Sequence, residues 1–161
     1  ACRGRGPSRP PTARCGRAAQ PARVRLEQNR GMNLVRCKLT IAGHELDTYV
    51  ARTAVQRALG LMHRAELGPN GGMLFICDEC AVQSFWMKDT PVALSIAFLD
   101  EDGAILHIDH MEPHSLESHS SEHPVRHVLE VPQGWFDERG IAVGDQVVGP
   151  VFLNAEAATP D

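Results

Sequence analysis

The sequence predicts a mostly β protein, a compact antiparallel β-sandwich or barrel with one or two short helices. At least seven short segments between about residues 33 and 152 show the alternation or the short apolar runs of strands, whereas only two show helical features. Turns rich in glycine separate several of these segments, as is typical of antiparallel sandwiches and barrels.

Composition divides the chain into an Arg-, Pro- and Ala-rich tail, one domain and a short C-terminal tail, at residues 1–32, 33–152 and 153–161. The first 31 residues carry eight arginines against one acid, a net charge of +7, and we expect them to be disordered and dispensable for folding. An organelle-type targeting peptide and a nucleic-acid-binding arm are open interpretations. We favour a third, an extension upstream of a start at Met32, because Met32 directly precedes the first strand.

The domain opens with a predicted β-hairpin that leads into a helix. Apolar residues alternate with polar ones in two successive segments, 35–41 and 46–50. Thr53 and Gln56 have the spacing of a capping box, and the apolar stripe of the helix extends to Met62.

The second half of the domain predicts further strands and a second short helix. The strands are expected at residues 73–76, 82–87, 94–98, 104–108 and 125–131. Pro132 to Arg139 predicts a short helix that Gly140 ends, and Gln146 to Phe152 closes the domain.

The charge of the domain excludes nucleic acid as its partner. Residues 32–161 carry a net charge of −11, which brings the whole chain to −4. Neutralising phosphate groups requires clustered lysine and arginine, so we expect a small molecule or a protein as partner. No segment approaches the ~20 apolar residues of a membrane span, and the first 30 residues contain no apolar signal-peptide core. We therefore expect a cytoplasmic monomer.

Three segments stand out from the generic strand pattern: Gly60-Leu61-Met62-His63-Arg64; Gly72-Met73-Leu74-Phe75 leading to Phe85-Trp86-Met87-Lys88-Asp89-Thr90-Pro91; and Leu129-Glu130 leading to Gly134, Gly140-Ile141 and Gly144-Asp145. In this order and spacing they resemble the bacterial and archaeal family called domain of unknown function 192. The resemblance covers about residues 34–148 and implies a compact β-rich fold of sandwich type, without an agreed activity.

The chain also departs from the pattern of that family. Asp89 stands where the pattern has Asn, and Cys77-Asp78-Glu79-Cys80 replaces a stretch that does not usually contain cysteine. Many relatives carry a signal peptide or a lipoprotein leader. The resemblance therefore implies a periplasmic or exported location as the alternative to the cytoplasm.

The segment from Phe85 to Pro91 is the best candidate for a ligand-binding site. On a strand, Trp86, Lys88 and Thr90 share one face, where an aromatic ring, a cation and a hydroxyl suit a polar ring or an anion. The alternative is structural, in which Trp86 packs, Lys88 pairs with an acid and Thr90 begins a turn.

Arg64, Glu130 and His119 complete the candidate site. Glu130 lies within an apolar strand, where a charge needs a partner or a solvent-filled cleft. We favour a structural pair of Glu130 with Arg64 or Lys88 over a general acid or base. His119 follows Ser118 in a motif that recurs among relatives, and we place it at the rim.

Two groups of potential metal ligands lack the spacing of a known site. Six histidines lie between His107 and His127, but they match no metal-binding helix, and we interpret them as exposed loop residues. Cys77 and Cys80 form half of a zinc site or a redox pair. We expect reduced thiols, no bound metal and no cofactor.

The leading functional prediction is a non-catalytic binding or accessory module for a small ligand or a partner, although an enzyme is not excluded. The first alternative is a small hydrolase or isomerase that uses Glu130 or His119 as base and Lys88 as electrostatic stabiliser. The second is a metal-handling protein that uses the His-rich segment at residues 107–127. An enzyme requires its charged groups unpaired in an open cleft, whereas a structural network leaves them paired and closed.

Overall fold

The computed structural model describes residues 34–153, and most of the domain is strand. The tail at 1–32 and nearly all of the tail at 153–161 lie outside the described residues. The elements are, in chain order, β1 (Val35–Ile41), β2 (His44–Ala51), α1 (Ala54–Leu59), β3 (Gly71–Phe85), β4 (Leu94–Leu99), β5 (Ile105–Met111), β6 (His119–Pro132), α2 (Trp135–Glu138), β7 (Val147–Val148) and α3 (Pro150–Leu153). The mostly β prediction is confirmed, with a third short helix near the C-terminal end.

The strands form one curled sheet in the order β5-β4-β6-β3-β2-β1-β7. All neighbouring strands are antiparallel except β2 and β3, which run parallel with Thr48 opposite Gly72. An isolated bridge between Ala104 and Gln146 joins the two edges of the sheet at one end, and the Ile105 N–H donates to the Asp145 carbonyl at 2.9 Å. The sheet is therefore a half-barrel that closes at this end.

The parallel pair of strands depends on the crossover that contains α1, because parallel neighbours require a long connection. The capping box predicted for α1 is confirmed: the Thr53 hydroxyl accepts from the Gln56 N–H, and the Gln56 side chain accepts from the Thr53 N–H, both at 3.1 Å. Arg57, in the last turn of α1, is buried and donates to the Ile76 carbonyl at 3.0 Å. This bond ties the crossover to β3.

Strands β3 and β6 pair with each other as a long antiparallel ribbon that bends back over the sheet. The predicted strands at 73–76 and 82–87 are one strand with register shifts, the first of them between Ile76 and Ala81. The ring centroids of Phe75 and Phe85 are only 5.2 Å apart, whereas ten residues of straight strand span about 33 Å. The far half of the ribbon therefore covers the face on which Phe75 lies.

The sheet buries apolar side chains on both of its faces. Leu129 and its neighbours on one face pack with Trp135 and Phe136 of α2. We call the opposite face the ribbon face. It is defined by Met73, Phe75, Ile96, Phe98 and Val128, and it is covered by Leu61, Phe85 and Met87.

Candidate functional site

One row of side chains crosses the ribbon face from β1 to β5. The strand registers place these residues opposite one another on successive strands: Arg36, Tyr49, Met73, Glu130, Ile96 and Asp109. Residues directly opposite in neighbouring strands project to the same side. Glu130, at the centre of this row, is fully buried between Met73 and Ile96 of the apolar cluster.

The segment that follows β3 leaves the sheet at Phe85, so the prediction that Trp86, Lys88 and Thr90 share a strand face is wrong. Instead the chain turns, with the Thr90 N–H donating to the Met87 carbonyl at 3.1 Å. The Thr90 side chain is buried and donates to the Lys88 carbonyl at 3.1 Å, which is the structural alternative for this residue. The Lys88 ammonium lies 5.4 Å from the centre of a Trp86 ring.

Backbone hydrogen bonds bring two distant segments against this turn. The His63 N–H donates to the Asp89 carbonyl at 2.8 Å, which places Arg64 beside the turn. From the other direction, the Met87 N–H donates to the Ser115 carbonyl at 2.9 Å and the His114 N–H donates to the Thr90 carbonyl at 3.0 Å. Residues far apart in the sequence therefore meet around residues 86–90.

Arg64 stacks on Tyr49, with its guanidinium carbon 4.5 Å from the ring centre. Arg36 lies 4.9 Å from the same ring, but it is exposed and its Nε donates to the Asp47 carboxylate at 3.2 Å. By contrast, the Arg64 Nε is buried and has no hydrogen-bond partner within residues 34–153, and the same holds for the His63 Nε2. A buried donor without an acceptor costs about 1–3 kcal/mol, so this arrangement favours an acceptor supplied from outside.

His119 meets Asp109 at the opposite end of the row. His119 pairs with Phe85 at the end of the bent ribbon, and its Nδ1 lies 2.6 Å from the Asp109 Oδ2. His119 is 7% exposed, and its Nε2 is buried without a hydrogen-bond partner in the described part of the chain. The sequence analysis selected His119 but not Asp109, because nothing in the spacing shows that the two residues meet.

The environment of Asp109 favours its ionised form. Burial raises the pKa of Asp109, but hydrogen bonds from the His119 ring and the His110 N–H, with the electrostatic influence of His119 and His107, outweigh the burial. The net pKa is therefore below its usual value. A carboxylate in this position holds the His119 ring by its Nδ1 side.

The candidate residues fall into two groups on the ribbon face. Tyr49 and Asp109 are four strands apart, about 19 Å along the sheet at about 4.8 Å per strand. Arg64 therefore belongs to one end of the row and His119 to the other, with Glu130 between them. The contacts described for Lys88 and Arg64 are with aromatic rings, and the pairing of either with Glu130 stays a prediction.

Ser95, His110 and Asp137 are linked by polar contacts on the face of β4 opposite to the row. The sequence analysis did not single out this group. The Ser95 hydroxyl lies 2.9 Å from the His110 Nδ1, and the His110 Nε2 lies 3.2 Å from the Asp137 carboxylate. Ser95 is fully buried and accepts a hydrogen bond from the Gly134 N–H at 3.0 Å. The Ser95 hydroxyl and both ring nitrogens of His110 have partners within the described chain, so these contacts join β4, β5 and α2 structurally.

The histidines between His107 and His127 have different environments. The interpretation as exposed loop residues holds for His114, but the other five histidines lie in β5 or β6, and His119 and His127 are buried there. Burial lowers the pKa of His127, with contributions of both signs from its neighbours. Within residues 34–153, no three His, Cys, Asp or Glu side chains are grouped to hold a metal ion.

The cysteines of the domain also differ from one another. Cys37 is a free thiol, as expected, and Cys77 is buried, whereas Cys80 is disulfide-bonded, which corrects the expectation of a reduced thiol there. No helix among the described residues has the length and apolar character to cross a membrane.

Two solved structures resemble this chain closely. One is a protein of Sinorhizobium meliloti, described provisionally as a transcription regulator, with 32% identity and a TM-score of 0.72 over 74% of this chain and 98% of its own. The other is a protein of unknown function from Novosphingobium aromaticivorans, with 28% identity and a TM-score of 0.67 over 89% of this chain and 99% of its own.

No curated protein matches the sequence. The model of a family described as an uncharacterized ACR matches residues 37–149, which include the ribbon face and the turn at residues 86–90. The function of this family is not assigned by its description. The chain belongs to the domain of unknown function 192 family.

Proposed function

We propose that this protein is a binding module for a small organic molecule with an anionic group. The observation that carries the proposal is the buried Nε of Arg64, which has no hydrogen-bond partner within residues 34–153. A carboxylate or a phosphate supplies the acceptor that this donor lacks, in a charge-assisted hydrogen bond. The site is the end of the ribbon face formed by Arg64, Tyr49 and the turn at residues 86–90.

The surroundings of Arg64 support an anionic ligand rather than a neutral one. Lys88 adds a second cation beside the Trp86 ring, and the bond between His63 and Asp89 holds the two cationic segments together. Stacking on Tyr49 fixes the guanidinium without using its hydrogen-bond donors. A preformed cationic site of this kind requires little reorganisation on binding.

We do not propose for this chain the role of transcription regulator that the Sinorhizobium relative's name gives. Residues 32–161 have a net charge of −11, and binding to the DNA backbone depends on clustered positive charge. The cations of the candidate site are few and partly buried, which suits one small anion. We therefore propose a small-molecule ligand and not a nucleic acid.

Calorimetric titration of the full chain with benzoate and with phenyl phosphate tests the proposal and separates the two anion types. We expect at least one of them to bind, and the uncharged benzyl alcohol to bind at least tenfold more weakly. The substitution Arg64→Gln should weaken anion binding at least tenfold, because it removes the charge and the Nε donor.

Arg36→Gln is the matched control, because Arg36 stacks on the same Tyr49 ring but is exposed and already bonded to Asp47. The affinity of this variant should stay within about twofold of the parent. The proposal is wrong if neither anion binds at millimolar concentration, or if Arg64→Gln and Arg36→Gln bind equally well.

A further inference from the structure

We propose that His119 is a general base that activates a water molecule for the hydrolysis of a small carboxylic ester, with Asp109 as its positioning residue. This activity goes beyond anion binding and uses the opposite end of the ribbon face. It does not depend on the site at Arg64, so either proposal can fail without the other.

The contact with Asp109 fixes which nitrogen of His119 carries the hydrogen. The Asp109 Oδ2 lies 2.6 Å from the His119 Nδ1, and an ionised carboxylate only accepts hydrogen bonds. The hydrogen of the neutral ring is therefore on Nδ1, and the lone pair of Nε2 is available. A carboxylate that orients an imidazole in this way is the support that a general base requires.

The Nε2 of His119 also lacks the donor that a structural histidine would have. It is buried, and no group within residues 34–153 donates to it. His110 of the same chain is different, because each of its two ring nitrogens has a partner, Ser95 for one and Asp137 for the other. A buried acceptor without a protein donor is commonly satisfied by water, and a water molecule bound there would pass its proton to Nε2.

The reaction balances with water as the only co-reactant. The water oxygen attacks the acyl carbon of the ester while the His119 Nε2 takes one of its protons. The tetrahedral intermediate then breaks the bond to the alkoxy oxygen, and the imidazolium returns the proton to the departing alcohol.

Turnover of 4-nitrophenyl acetate and of mono-4-nitrophenyl succinate by the full chain tests this activity. We expect His119→Gln to lower kcat/KM at least about 100-fold, the usual lower size of a general-base effect. Asp109→Asn should lower kcat more than it changes KM. The control is His123→Gln, an exposed histidine of the same strand, which should retain the parent rate. Thermal melting verifies that each variant is folded.

Nitrogen NMR of the histidine rings in the parent chain supplies a readout that does not depend on the folding of any variant. The parent chain should show His119 with its hydrogen on Nδ1, and Asp109→Asn should shift ring population towards the Nε2–H form. A parent chain with the hydrogen on Nε2 overturns the proposal. So does equal turnover by the parent and by folded His119→Gln for both esters, including the case in which neither turns over.

Discussion

Phe85 packs edge-on against Phe75, ten residues earlier in the same strand, with ring centres 5.2 Å apart. This contact exists only because the ribbon of β3 and β6 folds over the sheet. It holds the segment with Trp86 and Lys88 above the row that contains Glu130, and it places His119, the partner of Phe85, beside Asp109. Both ends of the candidate site therefore depend on this fold of the ribbon.

The first prediction concerns the anchor of the folded ribbon. Phe85→Ala removes a side chain that is 2% exposed and packs on Phe75 and Phe98. We expect the free energy of unfolding in urea to fall by about 3–5 kcal/mol. Leu116→Ala is the control, because Leu116 is 65% exposed and its loss should cost little. Equal stability of the two variants contradicts the packing of the ribbon on the sheet.

The second prediction concerns Gly72, where β3 passes close to β6. A Cβ atom at Gly72 would lie 2.7 Å from the Glu130 backbone oxygen and 3.3 Å from a methyl group of Thr48. Gly72→Ala should therefore destabilise the fold by roughly 1–3 kcal/mol, because the overlap is with backbone. Gly43→Ala is a different case, since a Cβ there meets nothing within 4 Å but the φ of +81° is unfavourable.

The two glycine variants are distinguished by their effect on the site. Repulsion at Gly72 displaces Glu130, whereas strain at Gly43 is confined to the turn between β1 and β2. We expect Gly72→Ala alone to weaken benzoate or phenyl phosphate binding, because Gly72 is opposite Thr48, the residue next to the Tyr49 ring on which Arg64 stacks. An identical loss of affinity in both folded variants would show that the site responds only to general destabilisation.

The third prediction is that Asp109 makes the free energy of unfolding fall as the pH is lowered. Burial raises the pKa of Asp109, but the hydrogen bonds from His119 and His110 and the charge of His107 lower it by more. The pKa in the folded state is therefore below the ordinary 3.8. The contribution of Asp109 to stability is therefore present above the unfolded pKa and is lost as pH falls through the folded pKa. Unfolding measured from pH 6 to pH 2.5 should show this loss in the parent and a smaller one in Asp109→Asn.

The fourth prediction concerns His127, whose burial favours the neutral ring and so makes the protein less stable in mild acid. Burial lowers the folded pKa of His127 below its ordinary 6.5. The unfolded chain then binds a proton that the folded chain does not, so stability declines as pH falls below about 6.5, until the folded pKa is reached. His127→Gln should flatten the stability profile in this range, although it also loses the ring contact with Phe152.

His123→Gln controls for the other histidines of β6, because His123 is exposed. Its stability profile should follow that of the parent. The assignment to His127 is contradicted if His123→Gln flattens the profile and His127→Gln does not.

Local signals in the sequence predicted the parts of the fold that depend on neighbouring residues. The capping box of Thr53 and Gln56 and the first β-hairpin are encoded by neighbouring residues, and both are present. The mostly β class also follows from alternation alone. The bend of β3 was not predictable, because a register shift at residues 76–81 changes the direction of the strand without removing its strand character.

The candidate site was only partly predictable for a similar reason. The family resemblance pointed to Arg64, Trp86, Lys88 and Glu130, and the fold brings the segments of the first three around one turn. Asp109 was not selected, because its role depends on contact with a residue ten positions away in a different strand. The separation of Arg64 from His119 follows from strand order, which alternation does not specify.

The late position of β6 in the chain has a consequence for how the protein is made. During synthesis β3 can pair with β2, and β4 with β5, as soon as both members of each pair have formed, but the edges of β3 and β4 that border β6 wait until residue 132 has been added. Until then the edges of two largely apolar strands have no partner, and such edges promote aggregation of nascent chains. Slower production or the presence of a chaperone should therefore raise the soluble yield of this protein more than that of a domain whose strands pair in sequence order.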